Sequence, residues 1–199
     1  MTVSADEMRQ KLIQSAFQMP SVQTMVSRKS SITNAFVNAI IPVVVPRVEE
    51  IEEALMILGL NPSDVRCAYC GDRSTEWDHL RPLVVKRRPT GFISEIANLV
   101  PACGKCNQSK GNKPWREWIL SKARLSPTGR GSDGIAARVA RLERYEQWKP
   151  PTVVDFGSLI GEAEWQAYWG LCDAVNEELR KAQEVANRLR AQIVGAITK

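Results

Sequence analysis

Two CxxC pairs, Cys67-Ala-Tyr-Cys70 and Cys103-Gly-Lys-Cys106, bracket the chain's one histidine, His79, which directly follows Asp78. Each CxxC turn can offer two thiolates to one tetrahedral ion, and two such turns complete a four-thiolate shell for Zn²⁺. A closed shell leaves no position for a reactant, so this zinc is expected to be structural. The competing chemistry is a pair of redox dithiols, but no thioredoxin-like βαβ pattern surrounds either pair. The fifth cysteine, Cys172, falls on an apolar seam and reads as a small apolar residue. His79 is a different kind of group. A neutral imidazole, with an ordinary pKa of about 6.5, can accept a proton from water at physiological pH. A carboxylate beside it can hold a hard cation.

The order Asp78-His79, Pro82, Asn98-Leu99, Cys103-x-x-Cys106-Asn107 and Lys110-Gly111 resembles the HNH, or ββα-metal, nuclease family. The similarity is closest to its zinc-stapled four-cysteine branch, which includes a phage Holliday-junction resolvase and several type II restriction endonucleases. It covers about 50 residues, a quarter of the chain. The resemblance implies that His79 is the general base and that Asp78 and Asn107 are ligands of a catalytic metal. It further implies that Asn98 braces the loop that orients His79. Many family members carry a histidine as the last metal ligand, and this chain has an asparagine there, a variant known in the zinc-stapled branch. Carboxylate and amide oxygens are hard donors, which favours Mg²⁺ or Mn²⁺ over a softer ion.

The implied reaction is hydrolysis of DNA phosphodiester bonds to 5′-phosphate and 3′-hydroxyl ends. Within that class, the size of the chain and its helical extensions favour a restriction-type enzyme that cuts double-stranded DNA as a homodimer. Two active sites cut two strands, and two-fold symmetry suits palindromic DNA. A phage or mobile-element nuclease that nicks one strand would carry the same motif. A non-catalytic zinc module that binds nucleic acid would need the cysteines but not Asp78, His79, Asn98 and Asn107 together. A structural or toxin-like interaction protein would rest on the C-terminal helix alone.

Charge supports a polyanionic partner. Residues 61–120 hold 10 Lys/Arg against 6 Asp/Glu, whereas residues 1–60 hold 5 against 6. Arg81, Lys110, Lys113 and Arg116 are candidate phosphate contacts. Lys86, Arg87 and Arg88 lie between the two halves of the motif and are candidates to track the DNA backbone or reach bases. No apolar run approaches the roughly 18 residues of a membrane span, and the start of the chain does not read as a signal peptide, so a soluble, cytoplasmic protein is expected.

The elements that must position these groups read as an α+β fold, mostly helical. A ββα-metal unit over 63–122 is flanked by helical regions at 1–62 and 123–199. Helices are expected over 5–19, 31–41, 46–59, 113–123 and 133–148, with a loop over 126–134. The segment 66–114 is rich in Gly, Pro, Asn and Cys and too poor in periodic apolar residues to hold together by burial, which is the task left to zinc. Adjacent residues of a strand point to opposite faces, so a strand would separate Asp78 from His79. A short helix beginning near Asn107 would present its amide to the same ion. The last 35 or so residues form one helix with a 3-4 apolar seam running from Trp165 through Tyr168, Cys172, Val175 and Leu179 to Ile193 and Ala196. That seam packs on the N-terminal helices of the same chain or on a second copy.

Overall fold

A computed structural model describes residues 4–17 and 19–198. Contacts divide the chain into two compact units, residues 1–29 with 176–199, and residues 30–175.

In the smaller unit, α1 (Ala5–Ala16) starts with a capping box. The Glu7 amide donates to Ser4 Oγ at 3.2 Å and the Ser4 amide to Glu7 Oε2 at 3.1 Å, which satisfies two of the donors a helix start leaves open. α1 ends three residues before the expected boundary. The Met25 amide donates to Gln183 Oε1 at 2.6 Å, tying the segment after α1 to the C-terminal helix.

The larger unit contains α2 (Lys29–Ile40), whose first residue lies at the division, and α3 (Val48–Leu58). Gly59 closes α3 in the left-handed region at φ +64°, donating to the Leu55 and Met56 carbonyls. β1 (Glu76–His79) pairs antiparallel with β4 (Leu99–Ala102), with Asp78 opposite Val100 and His79 opposite Leu99. β2 (Val84–Val85) and β3 (Arg88–Pro89) form a second, small hairpin between them. α4 (Gly104–Lys110) follows β4 directly and completes a ββα unit. α5 (Trp115–Leu120), α6 (Ile135–Trp148) and α7 (Phe156–Ile160) come next. α8 (Glu162–Ile197) is continuous over 36 residues and belongs to both units. The fold is thus α+β and mostly helical, and the 126–134 segment is turns, as expected. α4 begins three residues before Asn107, because Cys103 serves as its N-cap.

Two apolar cores flank the strand that carries Asp78 and His79. One gathers Ala54 and Leu58 of α3, Tyr69, Leu80, Val100, Trp118 and, from α6, Leu142 and Tyr145. The other gathers Val37 and Ile41, Leu83, Ile93, Phe156, Trp169 and Cys172. Leu80 and Leu83 therefore anchor the segment after His79 in different cores. The first part of the C-terminal seam is covered within the chain. Tyr168 packs against Phe36 with the rings tilted and their centroids 5.3 Å apart, its hydroxyl donates to the Phe36 carbonyl, and Cys172 is fully buried. Further along, Leu189 and Ile193 are exposed.

Candidate active site and metal centre

The segment that lacks periodic apolar residues is organised by the four cysteines. The Cys67 amide donates to the Asp72 carbonyl at 2.8 Å and the Gly71 amide to the Cys67 carbonyl at 2.9 Å, which folds the first knuckle. Gly71 has φ +82°, a left-handed conformation that favours glycine, and the Arg138 guanidinium lies over it. The second knuckle is the start of α4. The four Sγ atoms all lie within 4.8 Å of one another, and all four cysteines are buried. A tetrahedral ion with Zn–S of about 2.3 Å sets sulfurs about 3.8 Å apart, and Cys70 and Cys103 stand 3.6 Å apart. The residues therefore fit Zn²⁺. Hydrogen bonds from the Cys106 and Cys70 thiols pull Cys67 down to about 4. Arg130 Nη2 donates to Cys106 Sγ at 3.0 Å, and its cation partly offsets the excess negative charge that four thiolates would leave on one Zn²⁺. Among the described residues no other His, Cys, Asp and Glu side chains gather in this way.

β1 separates the two neighbours as its pleat requires. Asp78 shares a face with Glu76 and Leu80, and His79 points the other way. The Asp78 carboxylate is buried. Tyr69 Oη donates to its Oδ2 at 2.6 Å, and Lys110 Nζ lies 3.1 Å from the same oxygen. Burial pushes the Asp78 pKa up, with Lys110 and Tyr69 pulling against it. Burial pushes Lys110 down, opposed by Asp78. His79 is held at about 4, first by burial and then by the Lys110 charge, so the free imidazole is neutral.

Asn98 is fully buried and grips the chain just after β1. Its Oδ1 accepts from the Arg81 amide at 2.8 Å, and its Nδ2 donates to the Arg81 carbonyl at 3.0 Å and the Ile93 carbonyl at 3.5 Å. Asn107 lies in the second turn of α4, and its Nδ2 donates to Glu76 Oε2 at 2.5 Å. Its Oδ1 is thereby left as an acceptor. Glu76 and Asn107 meet between β1 and α4, and the Glu76 charge is near enough to Asp78 to raise its pKa; the three residues offer hard oxygen donors, with the Lys110 ammonium lying on both Asp78 oxygens. That donor set fits Mg²⁺ or Mn²⁺ and not a soft ion.

The remaining cationic candidates occupy different settings. Lys110 is not a surface group. It is fully buried, donates to the His79 carbonyl at 2.7 Å and pairs with Asp78, so it has no surface to offer a phosphate. Arg81 pairs with Glu146 of α6 at 3.1 Å and Arg116 with Glu143 at 2.7 Å. Lys113 Nζ donates to the Ser109 carbonyl at 2.7 Å near the end of α4. Lys86 and Arg87 form the exposed tip of the β2–β3 hairpin, both in the left-handed region at φ +50° and +64°. Arg87 and Arg88 share the Asp173 carboxylate at 3.0 and 2.8 Å, and Arg88 lies 5.2 Å from the Trp169 ring centroid.

Sequence reading missed Glu76, Tyr69 and Ser94. The first had a signal: Glu76 stands two residues before Asp78, and a strand puts it on the same face. Tyr69 sits inside the first CxxC and reads as a packing residue. Ser94, whose Oγ lies 2.8 Å from His79 Nε2, comes from a loop with no pattern to betray it.

Residues 67–113 match the family model for HNH endonuclease. A CRISPR-associated endonuclease Cas9 of Corynebacterium diphtheriae is 34% identical over 91 residues, spanning 44% of this chain and 7% of that much longer protein. No solved structure gives a significant match.

Proposed function

We propose that this chain, which carries an HNH endonuclease domain at residues 67–113, is a metal-dependent DNA endonuclease that hydrolyses phosphodiester bonds to 5′-phosphate and 3′-hydroxyl ends. One observation carries the reading. A single strand aims a neutral imidazole to one side and an oxygen-donor cluster to the other, beside a four-cysteine staple.

His79 accepts the proton of the attacking water. Burial keeps the ring unprotonated and so free to accept, as a weaker base than an ordinary imidazole. Asp78, Asn107 and the adjacent Glu76 would hold one Mg²⁺ or Mn²⁺. Such an ion would supply Lewis-acid neutralisation of the charge that builds up on the phosphate. Tyr69 and Lys110 keep the Asp78 carboxylate oriented. Asn98 fixes the turn after His79 by engaging both backbone groups of Arg81. Cys67, Cys70, Cys103 and Cys106 would hold Zn²⁺, which would staple the first knuckle to the start of α4.

The finer reading is a restriction-type enzyme that cuts both strands as a homodimer. The exposed Leu189 and Ile193 of α8, which continue the seam covered earlier in the helix, support self-association. The exposed Lys86–Arg87 tip supports DNA contact, because two cationic non-glycine residues stand there at positive φ, at a conformational cost.

Supercoiled plasmid incubated with EDTA, Mg²⁺ or Mn²⁺, alongside His79→Ala, tests the reading. Cleavage with either cation, none with EDTA, and a loss of several orders of magnitude in the variant are expected. Discrete linear fragments support the restriction-type reading, and open circles alone favour a nicking monomer. DNA that is bound but never cut, modified DNA included, replaces the enzyme with a zinc binding module.

A further inference from the structure

His79 has two ring nitrogens, and the structure gives a partner to one of them. Nε2 lies 2.8 Å from Ser94 Oγ. For Nδ1 to accept a proton, the neutral ring must carry its own proton on Nε2, and a neutral imidazole in the other tautomer has no lone pair there. The residue facing Nε2 therefore bears on whether the base is armed.

Ser94 is held from three directions. Its amide donates to the Pro42 carbonyl at 3.1 Å, and its carbonyl accepts from the Val44 amide at 2.9 Å, so the segment 42–44 clamps its backbone. On one side, Ile93 is buried and its carbonyl accepts from Asn98 Nδ2. On the other, the buried Glu95 accepts from the Thr152 amide at 2.5 Å and from the Thr152 hydroxyl at 3.2 Å. A side chain fixed this way presents its oxygen at a defined point. Segment 42–44 and Thr152 both lie outside residues 67–113.

We propose that Ser94 is the positioning residue for His79: its hydroxyl oxygen accepts the Nε2–H hydrogen bond, which fixes the tautomer and ring orientation that leave Nδ1 to take the proton from water. The flanking chain, through Pro42, Val44 and Thr152, holds Ser94 in place. During the reaction Nδ1 gains the water proton, the ring becomes an imidazolium, and Ser94 Oγ continues to accept from Nε2–H. The proposal rests on the reading of His79 as general base.

The single histidine makes the test direct. With ¹⁵N-histidine incorporated, the protein gives one pair of ring resonances, whose shifts report the tautomer. At mildly alkaline pH the wild type is expected to show the Nε2–H form, and Ser94→Ala a mixture of both. Ser94→Ala is expected to lower kcat roughly 10- to 100-fold, by analogy with the cost of removing the partner that orients a metal-ligating histidine, with KM for plasmid and zinc content unchanged. Ser94→Thr, which keeps the hydroxyl, is expected to restore both readouts. A wild-type ring protonated on Nδ1 overturns the proposal without any variant. So does a Ser94→Ala protein with an altered tautomer and kcat within about twofold of wild type. If His79→Ala itself cuts normally, the reading of His79 as base fails, and the spectra still tell whether Ser94 sets the tautomer.

Discussion

Replacing Lys110 by methionine isolates the buried ion pair at the heart of the site. Both partners are out of water: Lys110 has 0% of its surface exposed and Asp78 6%. The substitution keeps length and apolar bulk while removing the ammonium. It leaves Asp78 with Tyr69 as its remaining partner, and it strips donors from the His79 and Gly111 carbonyls. Removing one member of a buried pair costs about 3–5 kcal/mol, much of it the penalty of the charge left behind. In a protein of this size each kcal/mol shifts Tm by about 2–4 °C, so a fall of roughly 6–20 °C is expected in calorimetry with zinc retained. Asp78→Asn combined with Lys110→Met removes the stranded charge, and the pair is expected to be more stable than Lys110→Met alone. The direction with pH follows from the same pair. Burial already raises the Asp78 pKa, and losing Lys110 raises it further. The stranded carboxylate is then relieved by protonation, so the deficit against wild type shrinks as pH is lowered and grows as pH rises through that raised pKa. Mg²⁺ is expected to stabilise Lys110→Met more than wild type, because the cation takes the place of the ammonium. A Lys110→Met protein melting within about 2 °C of wild type, with no dependence on pH or Mg²⁺, would show that the pair is not the electrostatic centre argued for.

Other perturbations separate the remaining parts. Asn98→Ala strands the Arg81 amide and carbonyl, and about 2–4 kcal/mol of destabilisation is expected in urea unfolding. Stripping zinc with a strong chelator, or Cys103→Ser, is expected to unfold the 66–114 segment, read as loss of about one zinc per chain and of amide protection there. The His79 ¹⁵N resonances of the free protein are expected to stay on their neutral shifts at pH 6.5 and to titrate only towards about 4; in Lys110→Met the midpoint moves up, because the second cause of the depression is gone. Replacing Lys86-Arg87 by Asn-Gly suits a hairpin turn with two positive φ values, so stability is expected to rise by about 1 kcal/mol. DNA affinity is expected to fall in the same variant, with a salt slope shallower by about 2.

What was legible in the chain, and what was not, divides along a physical line. The cysteine cluster and the Asp78-His79 step were readable because they depend on local rules: a CxxC turn brings two thiolates together, and a strand alternates its faces. The long final helix was readable because one period runs through it. Its covering partner over the first turns, Phe36 and Val37 of α2, was anticipated as one of two arrangements, because a seam records that something packs on it and not what. Lys110 is the instructive failure. A lysine in a basic stretch reads as solvated, since lysine is seldom fully buried. Yet it stands one turn after Cys106 and Asn107 on α4, so the cysteine cluster that holds Cys106 and the strand that carries Asp78 enclose it. Its burial follows from docking α4 on β1, a long-range event that composition does not record. Ser94 is of the same kind, since the segments that hold it, at 42–44 and through Glu95 at 152, lie fifty or more residues away in sequence. The groups proposed to be catalytic are thus written into a short motif, whereas the groups that hold them belong in part to the surrounding chain. A fragment limited to residues 63–122 would retain every motif residue and lose the Pro42, Val44 and Thr152 contacts, and on this reasoning it would bind zinc while cutting DNA poorly.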